Sequence, residues 1–129
     1  MKYLTAVLAA GLCLATSAAL ADDPMADTYA NTVTTKNVKT GQTGMLFFNS
    51  DGTYNAKATT PDGKAVEYPG KWLVKDDGKT ICLTPTLPPD APNPAVTTCS
   101  PLVGHHVGDS WNVTNDRGDT FAVSMTAGR

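Results

Sequence analysis

Gly70-Lys71-Trp72-Leu73-Val74-Lys75, Asp76-Asp77-Gly78, Lys79-Thr80-Ile81-Cys82-Leu83-Thr84: two short alternating runs joined by a tight turn decide the fold. In the first run Trp72 and Val74 share one face, with Lys71 and Lys75 on the other. In the second, Ile81 and Leu83 lie on one side and Cys82 on the opposite side. Side chains alternate across a strand, so a period of two over such short runs predicts a β-hairpin with one buried face. The segment Pro85 to Pro94 that follows holds five prolines in ten residues. Proline fixes φ and lacks the N–H donor, which excludes helix and central strand and predicts a stiff, extended surface loop running to Cys99.

The same pattern extends in both directions. Tyr29 to Thr35 is β-branched and aromatic and is expected to form a first strand. Gly41 and Gly44 bracket a turn, and Met45-Leu46-Phe47-Phe48 is expected to be a strand buried on both sides. Asn49-Ser50-Asp51-Gly52 and Pro61-Asp62-Gly63-Lys64 carry the residues that tight hairpin turns require. Between them Thr53 to Thr59 alternates, with Tyr54, Ala56 and Ala58 together, and Val66 and Tyr68 resume the pattern. Pro69-Gly70 is expected to mark a bulge or corner. Downstream, Trp111 and Val113, then Phe121, Val123 and Met125, point one way on either side of an Asn115–Asp119 turn.

No run of ten residues has a helical period. Seven or eight short strands between Gly, Asp and Pro turns predict an all-β fold, a small antiparallel up-and-down barrel or sandwich of about eight strands. In so narrow a barrel, Trp72, Trp111, Tyr54, Tyr68, Phe47 and Phe121 are expected to fill the interior.

The N-terminus belongs to a different kind of sequence. Lys2, an apolar core from Leu4 to Ala15 and the small-x-small pattern Ala19-Leu20-Ala21 predict a signal peptide at residues 1–21. Its core is too short to span a bilayer, and no second apolar run follows, so no stable membrane insertion is expected after cleavage. Residues 22–28 are polar and proline-bearing and are expected to form a flexible leader to a single domain at residues 29–129. Ten basic and twelve acidic side chains give a net charge of −2, and no basic cluster exists, so nucleic acid is not an expected partner. Once the signal peptide and its Cys13 are gone, Cys82 and Cys99 are the two remaining cysteines. An even pair in an exported chain predicts a disulfide and a periplasmic or secreted location.

Candidate chemistry is sparse. His105 and His106, with Asp109 as a third ligand, are the candidates for a metal site, but neighbouring residues in a strand face opposite ways and the usual set of three or four spaced ligands is missing. Ser100 and Ser110 lie near these histidines without a nucleophile-elbow motif. Asp76-Asp77 has the character of a turn rather than of a paired acid site. Neither an enzyme nor a cofactor is expected.

The pattern Gly70-x-Trp72, the ten-residue step from Trp72 to Cys82-Leu83, the proline loop and Cys99 resembles that of the small periplasmic inhibitors of secreted bacterial zinc metalloproteases. Trp111-Asn112-Val113-Thr114, a Gly-containing turn and Phe121-Ala122-Val123 are similar to that family's last hairpin. The resemblance covers Gly70 to Arg129 and implies an eight-stranded, lipocalin-like barrel with one disulfide. The chain departs from the family in placing a strand-rich segment before Gly70 and in beginning its mature arm Asp22-Asp23-Pro24-Met25. The expected function is non-enzymatic protein binding in the periplasm, with another exported protein such as a protease as partner. The alternative is a carrier of a small apolar ligand or a metal ion.

Overall fold

The computed structural model of the chain describes residues 23–129; the expected signal peptide lies outside the described residues. Eight strands follow in order: β1 (Thr32–Asn37), β2 (Thr43–Phe48), β3 (Thr53–Thr59), β4 (Ala65–Lys75), β5 (Thr80–Pro85), β6 (Thr98–Pro101), β7 (Ser110–Thr114) and β8 (Thr120–Thr126). They form one antiparallel sheet in the order β6-β5-β4-β3-β2-β1-β8-β7. Except at the β6–β7 step, each strand therefore lies beside its chain neighbour, and β8 returns to pair with β1 from Thr32↔Thr126 to Asn37↔Phe121. This is the expected up-and-down all-β barrel, nearly closed, with one seam between β6 and β7.

Asp116 in the β7–β8 turn pins that seam. Its N–H donates to the Cys99 carbonyl at 2.8 Å, and its Oδ1 accepts the Cys99 N–H at 3.0 Å. Both bonds occupy edge groups of β6 that would otherwise be open to another strand. Cys82 and Cys99 are direct partners across β5 and β6, 4.0 Å apart at Cα, and are joined by the expected disulfide.

The inward positions build the core. Val33, Phe48, Tyr54, Ala56, Val123 and Met125 are buried, with Trp72, Val74, Ile81, Leu83, Trp111 and Phe121 packed around them. The Trp72 indole N–H donates to the carbonyls of Asn49 and Thr53, both at 3.0 Å, and its ring meets Phe48 edge-on at 6.2 Å. The hydrogen bonds offset the cost of taking the polar atom of this half-buried tryptophan out of water.

Four expectations are corrected. From Asp23 onward, the residues expected as a flexible leader are built into the domain: Met25 is only 2 % exposed and Thr28 is buried. Asp23 Oδ1 accepts the Met25 N–H at 2.9 Å, Tyr29 donates its hydroxyl to Asp23 Oδ2 at 2.8 Å, and Thr28 donates to the Met25 carbonyl at 2.6 Å. These bonds fold a 3-10 turn, Ala26–Thr28, that drives Met25 into one end of the barrel.

The first strand begins at Thr32 rather than Tyr29, because Tyr29 packs on Trp72 at 6.1 Å and Asn31 caps the preceding turn through its bond to the Asp27 carbonyl. Strand β2 is not buried on both sides. Leu46 and Phe48 point in, whereas Met45 is exposed and Phe47 faces out, with Lys57 Nζ 5.7 Å and the Arg129 guanidinium 5.8 Å from its ring centre. Two cations over the ring offset its outward exposure. Finally, Pro69-Gly70 makes no bulge, since Asn55↔Pro69 and Tyr54↔Gly70 pair in unbroken register. The glycine serves a close approach instead: a Cβ there would lie 2.2 Å from Tyr54 Cζ.

Candidate functional site

The barrel is hollow. A cavity of about 480 Å³ runs along its interior, walled by Leu46, Phe48, Ile81, Leu83, Val113, Phe121 and Val123 among others. Of the aromatics expected to fill it, Phe47 points outward, Tyr54 and Trp72 are drawn into the packed cluster with Phe48, and Tyr68, Trp111 and Phe121 line the space without closing it. The reason is volume. Thr35, Ala56, Gly70, Thr98 and Ser100 occupy positions that face inward or directly oppose inward residues, and they are too small to fill a barrel of eight strands. The alternation marks these positions as inward, but whether they leave space depends on strand number and closure.

The two ends differ. At the end holding the β2–β3 and β4–β5 turns, Met25 acts as a stopper, with Met125 beside it as the other fully buried large side chain. Residues 102–109, which join β6 to β7, lie over this stopper, and Pro24 approaches Gly104. The opposite end, where the β1–β2, β3–β4, β5–β6 and β7–β8 turns gather, is polar. There the cavity reaches Asn115, Arg117 and Asp119, and the Asn115 side chain holds the turn by accepting the N–H groups of Arg117 and Asp119, both at 3.0 Å. Burial raises the pKa of the Tyr68 phenol and pushes that of Tyr54 up to about 12, so both hydroxyls keep their protons at neutral pH.

The two histidines are separated. His105 faces the cavity and stacks on Trp111, ring centres 3.5 Å apart and planes 6° from parallel. Its Nδ1 is 3.6 Å from Asp109 Oδ2, and that same oxygen accepts the His106 N–H at 2.8 Å. His106 turns away to pair with Asp27 of the stopper segment, an interaction that raises the His106 pKa through the hydrogen bond and then the carboxylate's charge. Among the described residues, no three His, Cys, Asp or Glu side chains gather to hold a metal ion. Ser100 lines the cavity and Ser110 is an exposed residue at the start of β7. Asp76 and Asp77 both have positive φ, 56° and 55°, in the β4–β5 turn.

The proline loop, residues 86–97, is exposed along almost its whole length, including Leu87 and Val96. Among the described residues, no helix is long and apolar enough to cross a membrane. In comparisons with known proteins, no family model, no curated protein and no solved structure matches this chain.

Proposed function

We propose that this protein is an exported, non-enzymatic carrier that takes a small, largely apolar ligand into its barrel. The observation that supports this most directly is the cavity of about 480 Å³ with its apolar wall. Small-molecule sites are typically about 300–1,000 Å³, mostly apolar with a few polar groups, and often sit in the mouths of β-barrels. The polarity of the two ends gives the site a direction, with a stopper of Met25 below and an open mouth at Arg117 and Asp119 above. The disulfide supports an oxidising compartment, the periplasm or the extracellular space.

A neutral fluorescent probe, N-phenyl-1-naphthylamine, tests the carrier reading. One molecule should bind per chain with enhanced emission, and Leu83→Trp, which fills the cavity, should abolish binding while the fold is retained. Absence of binding, or binding that Leu83→Trp leaves unchanged, would refute it.

A second reading keeps the exported protein, such as a protease, as partner. It rests on the stiff, exposed loop 86–97, because a preordered loop loses little entropy on docking. Excision of residues 88–94 with a short glycine linker should then remove complex formation with the protease while leaving probe binding intact.

A further inference from the structure

The interior is not uniformly apolar, and the arrangement of its polar atoms bears on what the carrier takes. Toward the stoppered end the wall is Met25, Phe48, Ile81, Leu102, Trp111 and Met125. Toward the mouth it carries hydroxyls: Thr35 on β1, Tyr68 on β4 and Thr98 on β6, with Ser100 one step deeper, level with Ile81. Thr35 lies in the half of β1 nearest the β1–β2 turn, Tyr68 in the half of β4 nearest the β3–β4 turn, and Thr98 opens β6 after the proline loop. All three strand ends belong to the open end of the barrel.

None of the three mouth-end hydroxyls is hydrogen-bonded to another described side chain, and none is sealed away, since the described residues contain no buried side-chain N or O without a partner. They face the cavity with free donors and acceptors. A hydroxyl both donates and accepts, so a collar of them suits a group that does the same. Above the collar stand one cation and one anion, Arg117 and Asp119, which leave the mouth without a net charge to select an ionised ligand.

We infer that the cavity takes an amphipathic ligand with an uncharged, hydroxyl-bearing head, its apolar body toward Met25 and its head among Thr35, Tyr68 and Thr98. This rests on the carrier reading above. A carboxylate or ammonium head loses hydration on entering the cavity and meets no buried counter-charge there, whereas an alcohol exchanges its water bonds for collar bonds at little cost.

The experiment is displacement of bound N-phenyl-1-naphthylamine by 1-decanol, decanoate and decylammonium at pH 7.5, compared at equal chain length. Decanol should displace the probe at the lowest concentration. Tyr68→Phe and Thr98→Val should each raise the decanol concentration required by about three- to tenfold, the usual worth of one neutral hydrogen bond. Circular dichroism should show both variants folded, and each variant's own probe affinity is measured so that decanol's inhibition constant is compared after correction for it. If decanoate or decylammonium displaces as well as decanol, or if both variants leave decanol unaffected, the head-group inference is overturned while the carrier reading stands. If the probe does not bind at all, both fall together.

Discussion

Gly70→Ala adds one methyl group, and the structure predicts that this addition is costly. Gly70 sits directly across from Tyr54 in the β3–β4 ladder, and Tyr54 is only 3 % exposed. The new Cβ would lie 2.2 Å from Tyr54 Cζ and 2.4 Å from its hydroxyl oxygen. Carbon atoms in contact prefer about 3.5–4.0 Å, so the ring must move by more than about 1 Å. It is held by Phe48, 6.0 Å away between ring centres, and by the backbone of its own central strand.

Forced overpacking of a core costs about 1–3 kcal/mol. Stiffening a strand glycine to alanine returns about 0.5–1 kcal/mol. The net loss is about 1–2 kcal/mol, which corresponds to a fall in melting temperature on the order of 10 °C for a domain of this size. Thermal unfolding followed by circular dichroism measures it directly. The decisive comparison is a double-mutant cycle with Tyr54→Leu, which removes the obstructing ring. In that background Gly70→Ala should be neutral or mildly stabilising. An equal cost in both backgrounds, or a raised melting temperature from Gly70→Ala alone, would refute the steric reasoning.

Reduction of Cys82–Cys99 releases a crosslink spanning 17 residues and should lower unfolding free energy by about 3 kcal/mol, seen as a lower denaturation midpoint in urea with dithiothreitol. Met25→Ala should cost about 2–4 kcal/mol despite lying outside every strand, because the side chain it shortens is fully buried; denaturant unfolding would contradict this by giving an unchanged midpoint. Asp27→Asn should return His106 from its raised pKa toward the ordinary imidazole value, as read by NMR titration of its ring protons. Because Asp27 raises that pKa, the pair's stabilisation is complete below about pH 6.5 and disappears as pH rises through the folded-state value. The contact between the stopper and loop 102–109 should therefore loosen toward alkaline pH in the wild type, and show no such dependence in Asp27→Asn.

The strand ladder was legible because its signals are local. Trp72 and Val74 against Lys71 and Lys75, or Phe121, Val123 and Met125 against their polar neighbours, report their faces within five residues. The disulfide was legible from two cysteines and a predicted export signal. Met25 was not, since one methionine among Asp22, Asp23, Pro24 and Asp27 has no period, and its burial depends on a turn built by Asp23 and Thr28. Gly70 misled because an isolated glycine after proline resembles a bulge, whereas its partner Tyr54 is specified only by register. The hollow interior was half legible. Alternation shows which residues face in, but whether Thr35, Ala56, Thr98 and Ser100 fill the space depends on strand number and closure, which no local pattern reports.

The pairing of β1 with β8 has a consequence for how the molecule comes into being. These strands lie at opposite ends of the sequence, and Met25 and Met125, the two largest fully buried side chains, share the same end of the barrel. A growing chain that has not yet reached Thr120 has a β1 with a bare edge and a Met25 with no floor to enter. Nearest-neighbour hairpins can form as they emerge, but the contacts that close the barrel span almost the whole chain, and loop closure over that distance must precede their reward. Folding is therefore expected to finish only after synthesis, on a timescale of about milliseconds to seconds, with β1 exposed as a sticky edge until the last strand arrives.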